Sequence, residues 1–269
     1  MDREADRYTL NNRELWDELA PVHFRSYDIK GFLSGHSSLD AIQMKDLGSI
    51  KGKKVLHLQC HIGLDTLSLA RLGADVTGID ISPRSIEFAE KLKKRSGLDA
   101  RFICSDIYRL EGKLKAGYDI VYTGQGVLCW LKDIKEWGRI ISRYLEKGGM
   151  FYIMEGHPFS CIFESGGKGI RVEYDYFKPG PLRFDDWDAD YSDPSYRVRS
   201  PSYEWQWTAG DIVNSLIGAD LRIERFEEYP FLFFKRFKGM KKGKDGFWHF
   251  KSGTSGYVPL MFTLKARKI

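Results

Sequence analysis

The residues of this chain best placed to do chemistry lie in one stretch, Val55-Leu56-His57-Leu58-Gln59-Cys60-His61-Ile62-Gly63-Leu64-Asp65-Thr66. It reads as a strand, a tight turn and a helix start, and in doubly wound sheets ligands bind at such a turn. Asp80 closes the next apolar run, 21 residues on (59 to 80) from Gln59. A carboxylate so placed accepts hydrogen bonds from both hydroxyls of a ribose. It also stands where it could cap the helix that begins at Pro83, and both roles stay open. A dinucleotide fingerprint needs glycines so that backbone approaches a pyrophosphate. On that spacing the three positions are Gln59, His61 and Leu64, and none is glycine. Their side chains would crowd a diphosphate, which weighs against a nicotinamide dinucleotide and leaves room for a nucleoside ligand without phosphates.

The elements that must position this turn follow from periodicity. Apolar runs at Lys54–Leu58, Asp75–Ile79, Arg101–Cys104, Asp119–Tyr122 and Met150–Met154 alternate with helical patterns at Leu64–Leu72, Pro83–Arg95 and Asp133–Leu145. This alternation predicts an α/β, doubly wound parallel sheet with helices on both faces. Gly73 ends the first helix, Ser82-Pro83 starts the second, and Gly148-Gly149 closes the third. Residues 1–50 read as an N-terminal helical cap with helices at Asn11–Leu19 and Ser38–Leu47, and residues 51–156 as the ligand-binding core. Residues 157–207 are dense in aromatics and acids, including Phe159, Phe163, Tyr174, Tyr176, Phe177, Trp187, Tyr191 and Trp205. A segment this long between sheet elements reads as a lid. Its alternating piece 171–176 suggests an edge or hairpin strand. Residues 208–269 complete the sheet with a helix (Ala209–Ile217) and strands at Leu221–Glu228 and Leu260–Ala266, interrupted by a basic and aromatic insertion at 230–258.

Composition sets the outer bounds. The 269 residues, 42% hydrophobic, suffice for a substantial core. No apolar stretch reaches the length of a membrane span, and the charged start MDREADRYTL lacks the apolar centre of a signal peptide. The four cysteines, Cys60, Cys104, Cys129 and Cys161, form no CxxC pair. They suit neither a metal site nor a disulfide framework and read as reduced thiols of a cytoplasmic protein. The net charge of +5 owes much to the run 235–244. That run is either a solvated loop or a patch for nucleic acid or an acidic substrate.

At this point the chain resembles the class I S-adenosylmethionine-dependent methyltransferases. It is most similar to small-molecule-type members that carry a histidine-glutamine-cysteine-histidine turn. The resemblance rests on LHLQCHIGLDTLSLARLGADVTGIDIS (56–82), VLCWLKDIKEW (127–137), EGHPF (155–159) and VPLMFTLKA (258–266), in that order. It runs from about Leu15 to Ala266. It implies a Rossmann-like, mostly parallel seven-stranded sheet, S-adenosyl-L-methionine as cofactor and S-adenosyl-L-homocysteine as its product. It also implies that the turn residues Gln59, Cys60, His61 and Gly63 pass close to the methionine portion, and that Asp65 and Thr66 open a helix whose amides face its carboxylate. Asp80 and Ile81 would flank the ribose. Asp106 would accept from the adenine amino group, with Ser105 and Ile107 beside the ring. Gln125, in Thr123-Gly124-Gln125-Gly126, would face sulfonium and acceptor. Arg25 is either a partner for the cofactor carboxylate or a surface arginine. The chain departs from the broad family at His57, which replaces an acid, and at Gln59 and His61, which replace glycines.

Methyl transfer from a sulfonium is an in-line displacement, so alignment and exclusion of water dominate, and no nucleophilic side chain is required. An acceptor that carries a proton also needs a general base. His157, just after the fifth strand, is the candidate, with Glu155 and His61 as alternates. His157 could equally cap or pack beside Pro158. The aromatic insertion would enclose a small, aromatic or hydrophobic acceptor methylated at O or N. An RNA or protein acceptor, motivated by the basic run, and a cofactor-binding protein without turnover are the competing readings. No metal or membrane partner is expected, and the chain would act as a monomer or homodimer.

Overall fold

The apolar runs become seven strands of one sheet in a computed structural model that describes residues 3–166, 169–178, 180–185, 190–250 and 258–269. They are β1 (Lys54–Leu58), β2 (Asp75–Asp80), β3 (Arg101–Cys104), β4 (Tyr118–Thr123), β5 (Leu145–Gly156), β6 (Leu221–Tyr229) and β7 (Met261–Lys268). Their order across the sheet is β6-β7-β5-β4-β1-β2-β3. The first five pair in parallel, and β7 runs antiparallel to both of its neighbours. The chain moves outward from β1 to β3 and then returns to β4 on the other side of β1. The switch point therefore falls between β1 and β4, where the turn after β1 emerges.

Three helices precede β1: α1 (Arg3–Ser26), α2 (Ile29–Leu33) and α3 (Ala41–Leu47). The crossovers are α4 (Leu64–Arg71), α5 (Pro83–Ser96) and α6 (Ile134–Tyr144), followed by the single turn α7 (Pro158–Cys161) and by α8 (Ala209–Ile217). Successive strand residues face opposite sides of a sheet. Leu56, Leu58 and Val121 accordingly pack on Trp137, Ile141, Ile212 and Leu216 of α6 and α8. Val55, Ile120 and Tyr122 pack on the other side with Leu69 of α4 and with Leu232, Phe237 and Phe247 of the second insertion. Gly138 lets α6 and α8 approach closely, since a Cβ there would sit 2.3 Å from the Ser215 carbonyl oxygen.

The structure extends several expectations. α1 is much longer than Asn11–Leu19, because Val22 and His23 continue the buried stripe of Leu15, Leu19 and Ala20. α2 was not foreseen; Asp28 caps it by accepting from the Gly31 amide at 2.9 Å. β5 starts at Leu145, so Gly148-Gly149 lies inside the strand, near a shift in its pairing with β4. Of the alternating piece 171–176, only its first two residues join a hairpin, formed by Phe163–Gly166 and Gly169–Val172. Trp187 lies outside the described residues. Among the described residues, no helix is long and apolar enough to cross a membrane, and no group of three or more His, Cys, Asp and Glu is placed to hold a metal ion.

Candidate cofactor-binding site

The ends of β1, β2 and β3 are laced together. The Cys60 amide donates to the Ile79 carbonyl and the Ser105 amide to that of Asp80, both at 2.8 Å. Gln59 and His61 have φ of 57° and 49°. The backbone thus keeps the left-handed form that glycine adopts freely, although a side chain there costs about 1–2 kcal/mol. Such strain in a turn over a switch point marks a functional element. Gly63, with φ 79°, caps α4, and a Cβ there would come within 2.8 Å of Ala89 and Phe102. No side chain caps α4 at this glycine. The first amides of that helix are left to an external acceptor such as a carboxylate.

Asp80 is buried. Its Oδ2 accepts the His61 amide at 2.7 Å and its Oδ1 the Ser82 amide at 2.9 Å. Burial pushes its carboxyl up to about 6, against the pull of these amides. Ser82, and not Asp80, caps α5 by accepting from the Ser85 amide. Half-buried Ile81 follows it. After β3, Ser105 is buried and accepts from Lys113 Nζ at 2.8 Å, Asp106 caps a short turn through the Tyr108 amide at 3.0 Å, and Ile107 is buried.

The positions that replace the family's acid and glycines carry neutral or turned-away groups. Burial pushes the His57 imidazole down to about 3, so it is neutral, and its Nδ1 lies 2.8 Å from Thr66 Oγ1. Asp65 accepts from Ser38 Oγ at 2.6 Å and from the Tyr122 hydroxyl at 3.0 Å, and burial raises its carboxyl. Thr66 thus turns its side chain to His57, whereas Asp65 Oδ2 stays at the end of β4, 3.4 Å from where a Gly124 Cβ would stand. Gln59 reaches across it, donating from Nε2 to the Val127 carbonyl at 3.1 Å. At the end of β4, Gln125 Nε2 lies 3.3 Å from Asp40 Oδ2 and 3.1 Å from Met154 Sδ. Glu155 braces the loop beyond, taking the amides of Gly126, Val127 and Leu128. Two polar atoms here are buried and unpartnered: Gln59 Oε1 and Thr123 Oγ1. Orphaned groups of this kind call for a polar ligand.

The geometry places three further sequence candidates. Arg25 is exposed and lines an open surface cleft with Asp17, Arg84 and Arg199, beside the start of α5. The Cys60 thiol points back toward Gly78 and Phe102, because the turn directs that side chain into the sheet. His157 is the N-cap of α7: its Nδ1 accepts the Phe159 amide at 3.1 Å, and its Nε2 lies 2.9 Å from Glu228. Its ring packs among Phe226 and Phe262 and faces the β6–β7 edge, with Nε2 buried near Glu228 but without a well-formed hydrogen bond. Glu155, saturated by amides, is likewise a brace. Trp137 is fully buried, whereas half-buried Trp130 meets Trp16 of α1 edge-on.

The structure also adds residues. Asp17 of α1 accepts from Ser82 Oγ at 2.6 Å and from the Arg84 amide at 3.1 Å, tying α1 to the start of α5. His23, also on α1, meets His61 at 2.8 Å. Asp40 and Gln43 form a capping box on α3, a pattern visible in the sequence as Asp-x-x-Gln. The α1 contacts leave no comparable trace, since the residues they join lie far apart in the chain.

The chain matches the methyltransferase-domain family over residues 56–153. It is 30% identical over 193 residues to a ubiquinone biosynthesis O-methyltransferase from Bordetella pertussis, a match that covers 66% of this chain and 76% of that one. The chain belongs to the class I S-adenosylmethionine-dependent methyltransferases. A ubiquinone biosynthesis O-methyltransferase from Chromobacterium violaceum is 28% identical, and the match covers 55% of this chain but only 60% of the relative's length. The fold is that of an S-adenosylmethionine-dependent methyltransferase from Mesorhizobium loti, with a TM-score of 0.58 at 16% identity over 88% of this chain and 100% of that one. For a class I methyltransferase the cofactor is S-adenosylmethionine. The uncapped α4 and the orphaned Gln59 and Thr123 oxygens suit a ligand of that kind.

Proposed function

We propose that this chain transfers a methyl group from S-adenosylmethionine to a small, aromatic or hydrophobic acceptor at oxygen or nitrogen. The observation that carries the reading is the turn between β1 and α4, left-handed at Gln59 and His61, with Asp80 on one side and an uncapped helix start on the other. The bound cofactor supplies an electrophilic methyl on a sulfonium. Asp80 would accept the ribose hydroxyls, the Leu64–Thr66 amides would take the carboxylate, and Asp106 with Ile107 would hold the adenine. Gln59 and Thr123 would complete the wall with their unpartnered oxygens.

Support for a small, apolar acceptor comes from the relatives, whose names place them in ubiquinone biosynthesis, and from the aromatic segments that follow β5. Tyr191 meets Phe234 at 6.3 Å between ring centroids, Phe159 meets Phe163 at 5.3 Å, and Tyr229 meets Phe231 at 5.3 Å. The described parts of 157–207 and 230–250 would thus cover the acceptor, with the Gln125–Asp40 pair as its polar contact. The four free cysteines accord with a reducing, cytoplasmic setting. The test is calorimetric binding of S-adenosylhomocysteine, followed by methyl-transfer assays against phenols, hydroquinones and amines. Binding lost in Asp80→Ala and turnover of a phenolic acceptor are the expected results; a wild-type protein that does not bind overturns the reading.

A further inference from the structure

Four side chains from four separate segments, three of them buried and His61 half-buried, form one hydrogen-bonded chain at the cofactor turn. Asp190 Oδ2 lies 3.0 Å from His23 Nε2, His23 Nδ1 lies 2.8 Å from His61 Nε2, and His61 Nδ1 lies 3.0 Å from Ser85 Oγ. Asp190, His23 and Ser85 are almost wholly out of solvent. Trp16 closes over both imidazoles edge-on.

The chemistry of the ends fixes the direction of the chain. The other oxygen of Asp190 is occupied by the Ser192 amide at 2.8 Å, the Ser192 hydroxyl and the Asp193 amide at 3.1 Å. An ionised carboxylate only accepts, so His23 donates from Nε2 and, while neutral, accepts at Nδ1. His61 must then donate from Nε2 and accept the Ser85 hydroxyl at Nδ1. The Tyr27 hydroxyl, 3.3 Å from the same Nδ1, competes with His61 for its single lone pair and has Tyr191 as its other partner. One tautomer of each histidine satisfies every member. A buried polar chain of this kind either is complete or is a liability, and this one is complete.

We infer that Asp190 and His23 are positioning residues for the cofactor turn. They hold the His61 ring, and through it the left-handed backbone whose amide meets Asp80 at 2.7 Å. This role rests on the cofactor reading above. His61 stands where the family pattern has glycine, so its backbone conformation is not free and needs an anchor. The ring supplies that anchor at both nitrogens. Because Asp190 belongs to the segment after β5 and His23 to α1, the docking of both is transmitted to the one turn whose amide meets Asp80.

The test combines two readouts on full-length protein. Long-range nitrogen–proton NMR reads the tautomers of His23 and His61 without ligand, and stopped-flow fluorescence with calorimetry reads S-adenosylhomocysteine binding. In the wild type both rings should carry the proton on Nε2. Asp190→Ala should convert His61 to a tautomer mixture and weaken binding at least tenfold, mainly through faster dissociation. His23→Phe, which keeps the ring volume, should do the same and serves if Asp190→Ala does not fold. A wild-type His61 protonated on Nδ1, or variants with binding within twofold of wild type, overturns the inference. If the wild type does not bind, the cofactor reading falls instead, and with it the assignment of these two residues to a cofactor turn; the tautomers still report whether the chain exists.

Discussion

Oε2 of Glu155 accepts the backbone amide of Val127 at 2.6 Å, at the bottom of the loop that follows β4. The same oxygen takes Leu128 at 3.2 Å, while Oε1 takes Gly126 at 2.8 Å and Gly156 at 2.7 Å. Burial raises this carboxyl and the four amides draw it back. In Glu155→Gln, either orientation of the amide turns its NH2 toward two backbone donors. Each buried donor left without an acceptor costs about 1–3 kcal/mol. The variant should therefore lose on the order of 3 kcal/mol of stability in urea unfolding. A loss below about 1 kcal/mol would show that the loop holds its shape without the carboxylate.

The sheet was legible because parallel strands buried on both faces read as short continuous apolar runs. Asp80 was legible because a carboxylate ending β2 is a local feature. The turn was half legible: glycines were missing from the sequence, yet Gln59 and His61 keep the backbone form glycines would have. Periodicity does not report φ, so the strain there could not be read. For His157 the sequence left a base and a cap open, because a histidine before proline carries no sign of which way its ring faces. Its capping of Phe159 and its contact with Glu228 decide that. The His23–Asp190 contact spans 167 residues and has no pattern in the chain.

If His157 serves as a cap, removing it is a matter of stability and not of turnover. His157→Ala should cost about 1 kcal/mol, as loss of a helix N-cap does, and His157→Ser should restore most of it. Methyl-transfer kcat for a phenolic acceptor should stay within about twofold of wild type in both, since no proton-transfer contribution is lost. A fall of a hundredfold with stability intact would return the histidine to the reaction.

The basic run divides by burial. Lys241, Lys242 and Lys244 are exposed, whereas Phe237 and Met240 are buried beneath them. Changing the three lysines to Gln should leave S-adenosylhomocysteine binding and acceptor turnover unchanged. Phe237→Ala should destabilise the protein by about 3–5 kcal/mol, as a large-to-small core change does. An RNA retained by the wild type and released by the lysine variant, with a steep salt dependence, would instead mark a nucleic-acid surface.

Asp80 gives the sharpest pH prediction. Its folded-state carboxyl is raised from 3.8 to about 6, chiefly by burial. The folded protein thus holds this proton more tightly than the unfolded chain does. The associated stability is complete below about 3.8 and is lost as pH rises through about 6. Ligand binding should run the opposite way. Ribose hydroxyls donate to the ionised carboxylate, so S-adenosylhomocysteine should bind more tightly as pH rises from 5 to 7, and below about 6 binding should release a proton. Calorimetry near pH 5.5 in buffers of different ionisation enthalpy measures that proton directly. Heats independent of the buffer, with an affinity flat across this range, would remove Asp80 from contact with the ribose.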